Sequence, residues 1–241
     1  MTLPPQLFIG VDVQLSRGCP AVAIDRAGRF ICTSWLDVQV GAPDGPHVDL
    51  AQRLRGFVLG LSDHHDCRVV VGVDAPRAPL RAHRPYYWDG TRGGRWRAAR
   101  AGDRGLGRHC EIVVSALSLG RPQWTPLVTY PPDWMALGFA CFDALTALGP
   151  RVLTHEVFPS ASYRLFDDRA PRVEVSLAGF SRGPKDMLDA YCAAATVREH
   201  ALGRGWEAGG GDGLGSIVLP GPKRSPESFV HRWPAAPPPG R

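Results

Sequence analysis

Asp186 and Asp189 stand three residues apart at the start of an Ala-rich stretch, while Asp12, Asp74 and Glu156 each sit at or near the end of a short apolar run. Side chains that offer only carboxylate oxygens point to a particular chemistry. Cutting a phosphodiester requires an activated water and relief of charge on the leaving oxygen, and two divalent ions about 4 Å apart supply both. Magnesium and manganese take oxygen ligands, so such a site needs converging acids and no His or Cys set. The five residues are therefore the candidate catalytic carboxylates. On a helix, positions three apart differ by roughly 60° at about 100° per residue, so Asp186 and Asp189 share a face. Ala190 and Ala193 lie on that side and allow close packing. Plainer roles compete: Asp186 offsets a helix dipole, Asp74 before Ala75-Pro76 forms a turn, and Glu156 pairs with an Arg. The dipole explains Asp189 less well, which makes it the firmer of the two helix acids.

The elements that must position these acids follow from periodicity. Residues 7–13 form a short apolar, β-branched run, which predicts a buried strand carrying Asp12. Residues 21–24 and 30–35 predict two more strands of an antiparallel meander. Apolar residues at 50, 54, 57, 58 and 61 are spaced as on a helix over 48–61. Residues 69–73 are Val and Gly only, as in a central strand covered on both faces, and lead into Asp74. A short helix over 111–119, a stronger one over 132–148, a fifth strand over 152–157 with Glu156, and a short helix near 160–166 come next. The last well-supported helix runs over 184–202, with Pro184 in its first turn. Residues 216–219 are an expected edge strand. The reading is an α/β fold: a mixed five-stranded sheet flanked by helices, in one domain over 1–220, with a Pro-rich tail over 221–241.

Residues 77–108 interrupt this order. Arg81, Arg84, Arg92, Arg95, Arg97 and Arg100 stand among Trp88, Trp96 and few acids, and Gly and Pro break any period. The expectation is a long basic loop or insertion. Guanidinium groups neutralise phosphates and rings stack on unpaired bases, so these eight residues are the candidate nucleic-acid-binding set. The alternative is a solvated loop in an Arg-rich chain.

The bulk properties permit this picture. The 241 residues fit one large domain, 44% are hydrophobic, and the formal charge is +5, with a sequence pI of about 9.1. A mild basic excess suits an anionic partner. No run approaches the roughly 18 apolar residues of a membrane span, and no basic leader precedes an apolar core, so a cytoplasmic location without membrane association is expected. The six cysteines lack zinc spacing and are expected as reduced, mostly buried thiols. The oligomeric state stays open.

Five pieces in this order resemble one family: Ile9-Gly10-Val11-Asp12, Val73-Asp74-Ala75-Pro76, Arg108-His109-Cys110-Glu111, Glu156-Val157-Phe158-Pro159-Ser160 and Lys185-Asp186-Met187-Leu188-Asp189-Ala190. The chain resembles the DUF429 family, described as predicted nucleases of the ribonuclease H-like superfamily. Its closing Asp-x-x-Asp-Ala piece also looks like the terminal motif of RuvC-type Holliday-junction resolvases. The resemblance implies a ribonuclease H-like fold, two Mg2+ or Mn2+ ions, and metal ligation by Asp12, Asp74 and one or both of Asp186 and Asp189. The sequence departs from the family where Arg17-Gly18 leads to Cys19 instead of a Gly-Trp step, and its basic segment is longer. Two other functions share the strand order. A non-catalytic nucleic-acid-binding or scaffold protein could keep the fold. An ATP-handling protein of the actin and sugar-kinase type would need glycine-rich phosphate loops, of which 13–16 and 75–77 are poor versions.

Overall fold

A computed structural model of the protein describes residues 6–37, 42–90, 94–166 and 183–235. Three consecutive strands, β1 (Gln6–Asp12), β2 (Cys19–Ile24) and β3 (Phe30–Leu36), form the expected meander. Helix α1 (Pro46–His64) crosses to β4 (Arg68–Asp74), which pairs parallel with β1. After a hairpin of β5 (Tyr86–Asp89) and β6 (Arg95–Ala98) come α2 (His109–Ala116) and α3 (Asp133–Thr146). Strand β7 (Val152–Val157) then pairs parallel with β4. A helical turn α4 (Pro159–Ser162), helix α5 (Pro184–Ala201) and strands β8 (Gly205–Gly209) and β9 (Ser216–Pro220) follow.

The main sheet has seven strands in the order β3-β2-β1-β4-β7-β9-β8, two more than the sequence predicts. Residues 216–219 were expected at the edge, yet β9 lies between β7 and β8. The missed edge strand, β8, reads Gly-Trp-Glu-Ala-Gly and contains no β-branched residue, so its local pattern is weak. The mixed sheet with helices on both faces is the architecture expected from the strand order.

Alternation along the strands sorts the two faces. Leu7, Ile9 and Val11 of β1 and Val69, Val71 and Val73 of β4 join α1 and α3 residues such as Leu54, Val58, Leu137 and Leu145 in one core. Phe8 and Val70, with the opposite parity, join Met187, Ala190, Ala193, Ala194 and Val197 of α5 in another. Gly10 and Gly72 belong to this second face, and their missing side chains set how closely α5 approaches. A Cβ on Gly10 would lie 1.8 Å from the Ala190 carbonyl oxygen and 2.3 Å from the Ala194 nitrogen. One on Gly72 would lie 2.8 Å from the Ala193 carbonyl oxygen. Backbone meets backbone there, so nothing flexible can yield. Gly10→Ala is expected to destabilise the fold by about 3 kcal/mol, an overpacking cost at the upper end of the usual range. Urea unfolding checks this, and a loss below about 1 kcal/mol would show that α5 can shift.

The basic segment is more ordered than a loop. Tyr86 and Tyr87 are buried. Trp96 packs edge-on to Trp88, Trp233 and His109 with ring centroids 5.3, 5.2 and 5.7 Å away, and its indole N–H donates to the Phe229 carbonyl at 3.0 Å. Residues beyond 220 share in this packing: Val230 is fully buried, and Trp233 also meets Tyr86. The stretch that reads as a Pro-rich tail thus supplies apolar side chains to a third core around α2, β8 and β9. All six cysteines are free thiols, five of them buried. No described helix is long and apolar enough to cross a membrane.

Candidate metal centre

Strand register places the first two acids. Asp12 and Asp74 are direct partners across the parallel β1–β4 pair. They share the parity of Gly10 and Gly72 and therefore face α5. The helix lies over those glycines with Ala190, Ala193 and Ala194, so its first turn, carrying Asp186 and Asp189, reaches the strand ends. Residues 186, 189, 190, 193 and 197 recur at three and four residues along α5, which is one helical face. Asp12, Asp186 and Asp189 are buried, and Asp74 is half-buried. The structure thus brings these four aspartates to one end of one sheet face.

Their surroundings differ. Gln14 donates its amide N–H to Asp12. The Arg17 guanidinium donates to Asp186 Oδ1 at 3.2 Å. Its other nitrogen stands 3.2 Å from buried Oδ2 without forming a hydrogen bond. Asp189 accepts from the Tyr163 hydroxyl at 2.8 Å and from the exposed Lys185 ammonium. Among the described residues, Asp74 accepts no hydrogen bond from a side chain. Burial pushes the Asp12 carboxyl up to about 6; the Gln14 hydrogen bond opposes this, and Asp189 and Asp186 add to it. Burial also holds Asp74 well above the usual carboxylate range, with Asp12, Asp189 and Glu156 raising it further and Lys185 opposing them. Desolvation and like charge both disfavour the ionised form. Among the described residues, no three of the four aspartates bring carboxylate oxygens within 4.8 Å of one another.

Glu156 is not brought to that face. It pairs with Val73 in the β4–β7 register, so it points to the opposite side from Asp74. There it accepts from Arg108 Nη1 at 2.7 Å, from Arg108 Nη2, and from the Arg77 backbone N–H at 2.9 Å. Arg108, 1% exposed, also donates to Glu111 Oε1 from Nη2 at 2.9 Å and from Nε at 3.0 Å. Glu111 caps the start of α2 by accepting from the Arg108 backbone N–H at 3.1 Å, and it accepts the Thr125 N–H at 3.0 Å. Cys110, Glu111 and Glu156 form the tightest grouping of ligand-type atoms among the described residues. A guanidinium already stands between the two carboxylates, and burial holds the Cys110 thiol well above its ordinary range. The trio is an ion-pair network with its cation built in, not a vacant metal cage. The sequence named Arg108 and Glu111 only as motif letters. An Arg three residues before a Glu at a helix start was the available signal.

The eight basic-segment residues divide. Arg81, Arg95 and Arg100 are exposed, and Arg92 lies outside the described residues. Arg97 pairs with Asp103 at 2.7 Å. Arg84 and Arg97 lie over the Tyr87 ring at 4.1 and 4.8 Å. Trp88 and Trp96, both half-buried, meet each other in the aromatic cluster described above.

No protein-family model matches the chain, and no curated protein matches it. Among solved structures it is similar to T. thermophilus RuvC in complex with a Holliday junction substrate, at 16% identity and a TM-score of 0.38, over 82% of this chain and 96% of that one.

Proposed function

We propose that this protein is a metal-dependent nuclease that hydrolyses phosphodiester bonds of nucleic acid, and that it belongs with the DUF429 group of ribonuclease H-like proteins. Asp12, Asp74, Asp186 and Asp189 would hold Mg2+ or Mn2+. The observation that carries this reading is the pairing of Asp12 with Asp74 beneath the first turn of α5, where burial and mutual repulsion raise both carboxyls. Buried acids in one another's field cost stability unless a cation balances them. The donor set fits the group: every candidate ligand atom is a carboxylate oxygen, which suits a hard divalent ion. When bound, such ions supply an acidified water and relief of charge on the leaving oxygen.

The chain's own residues hold the ligands in place. Gln14 orients Asp12, Arg17 restrains Asp186, and Tyr163 fixes one oxygen of Asp189. The Arg108–Glu111–Glu156 network stands behind the strand ends as a support, with Glu156 acting on Asp74 only through its field. Exposed Arg81, Arg95 and Arg100 would attract a polyanion.

Labelled branched, single-stranded and RNA-hybrid substrates, incubated with Mg2+ or Mn2+, test the assignment. Cleavage is expected with metal and not with EDTA. At metal one hundred times its Kd, the folded state should gain about 2.7 kcal/mol, read as a rise in Tm. Absence of both cleavage and thermal shift would reject the reading. A shift without cleavage of any substrate would leave a metal-binding scaffold.

A further inference from the structure

Beside α4 lies a cleft of about 620 Å³, lined by Ser115 and Ser118 at the end of α2, by Arg121, and by Phe158, Ser160 and Arg164 around α4. The geometry points to a binding site for a backbone phosphate of a nucleic-acid strand. This site rests on the nuclease reading for its strand, but not for its chemistry.

Two guanidinium groups and three hydroxyls share one concave surface with no carboxylate in its lining. Among the described residues, neither Arg121 nor Arg164 forms an ion pair. Ser160 and Arg164 are four residues apart, and the helical hydrogen bonding continues past α4 through Tyr163 and Arg164, so the two stand on one face. Arg164 Nη1 donates to the Ser118 carbonyl at 2.8 Å, which ties this turn to the end of α2 and brings a five-donor guanidinium to the cleft. Ser118 adds an independent sign. It sits just beyond the helix end at φ 57°, a left-handed position that favours glycine. A serine there accepts backbone strain and places a hydroxyl at the cleft. Arginine forks and serine hydroxyls together suit the tetrahedral oxygens of a phosphate. The link to the aspartates is direct, since Tyr163, the neighbour of Arg164, donates to Asp189. A strand whose scissile bond lies at the aspartates would pass this cleft with an adjoining phosphate.

The test measures binding of a fluorescent single-stranded DNA by anisotropy in EDTA, as a function of salt, for the wild type and for Arg121→Gln/Arg164→Gln. Losing one phosphate contact should lower the slope of log affinity against log salt by about 0.7 and weaken binding about fivefold at 0.1 M salt. Ser118→Gly, which removes the hydroxyl and relieves the backbone, should keep or raise Tm while also weakening binding. A second arm reads the thermal shift given by inorganic phosphate. An unchanged slope in the double variant overturns the proposal, as does a wild type that binds no DNA. A phosphate shift lost in the double variant with DNA binding intact overturns the strand assignment and leaves a free-phosphate site. Because divalent ions are absent throughout, a failed cleavage assay leaves this result standing on its own.

Discussion

Asp12→Asn is expected to lower metal-dependent cleavage by about 10³-fold, since charge relief and water activation both depend on the bound ions, and at the same time to raise the Tm of the metal-free protein. The two effects share one origin. The carboxyl of Asp12 is held near 6 by burial and by neighbouring acids, against about 3.9 in an unfolded chain. The folded state therefore binds a proton more tightly than the unfolded state. Stability from this group is full below pH 4, declines as pH rises, and is lost above pH 6. At pH 7.5 the wild type carries the whole penalty, about 3 kcal/mol from a shift of about two units. The amide carries none, so the variant should be more stable at pH 7.5, with the difference closing near pH 4. Mn2+ should raise Tm in the wild type at pH 7.5 and much less in the variant. Differential scanning calorimetry at the two pH values reads all of this. A variant less stable than the wild type at pH 7.5 would show that Asp12 is held by partners that favour its charge, and the case for a cation there would fall.

Arg108→Met should have the largest effect on folding. It leaves Glu111 and Glu156 buried beside each other with their shared cation gone. Removing one partner of a buried ion pair costs about 3–5 kcal/mol, because the remaining charge stays desolvated. Two carboxylates depend on this one guanidinium, so a loss at the upper end is expected in chemical denaturation at pH 7.5. Acid should recover part of it, since protonation removes the uncompensated charge. Arg108→Met/Glu111→Gln/Glu156→Gln should recover more at neutral pH, as apolar and neutral replacements of whole buried networks often do. If the single variant loses less than about 1 kcal/mol, water or another cation reaches the two glutamates and the network is not sealed.

The parts of this site that could be read in the sequence are those written in local patterns. The apolar runs over 7–13, carrying Asp12, and 69–73, leading into Asp74, placed both strands to within one residue, and the Ala-rich period beginning at Pro184 placed α5 to within one residue at its end. The face on which each acid lies depends on register between strands far apart in sequence. Glu156 illustrates this: its strand was correctly placed, yet pairing with Val73 instead of Asp74 turns it toward Arg108. The hairpin of β5 and β6 was hidden because its arginines look solvated one by one. Part of the surface that Trp96 packs against comes from Trp233, more than a hundred residues on. For the same reason a Pro-rich stretch reads as a tail until Val230 is seen buried within the fold.

The contact of α5 with the strand glycines also orders events in time. Arg17 and Asp186 are 169 residues apart, so the aspartate set requires closure of nearly the whole chain. On the ribosome, β1 and β4 can pair with Asp12 beside Asp74 well before α5 has been made. During that interval half of the carboxylates wait on an uncovered sheet face, and no complete acidic cradle exists. Amides of Gly10 and Gly72, sealed under α5 once it docks, should then exchange with solvent only when the entire domain opens.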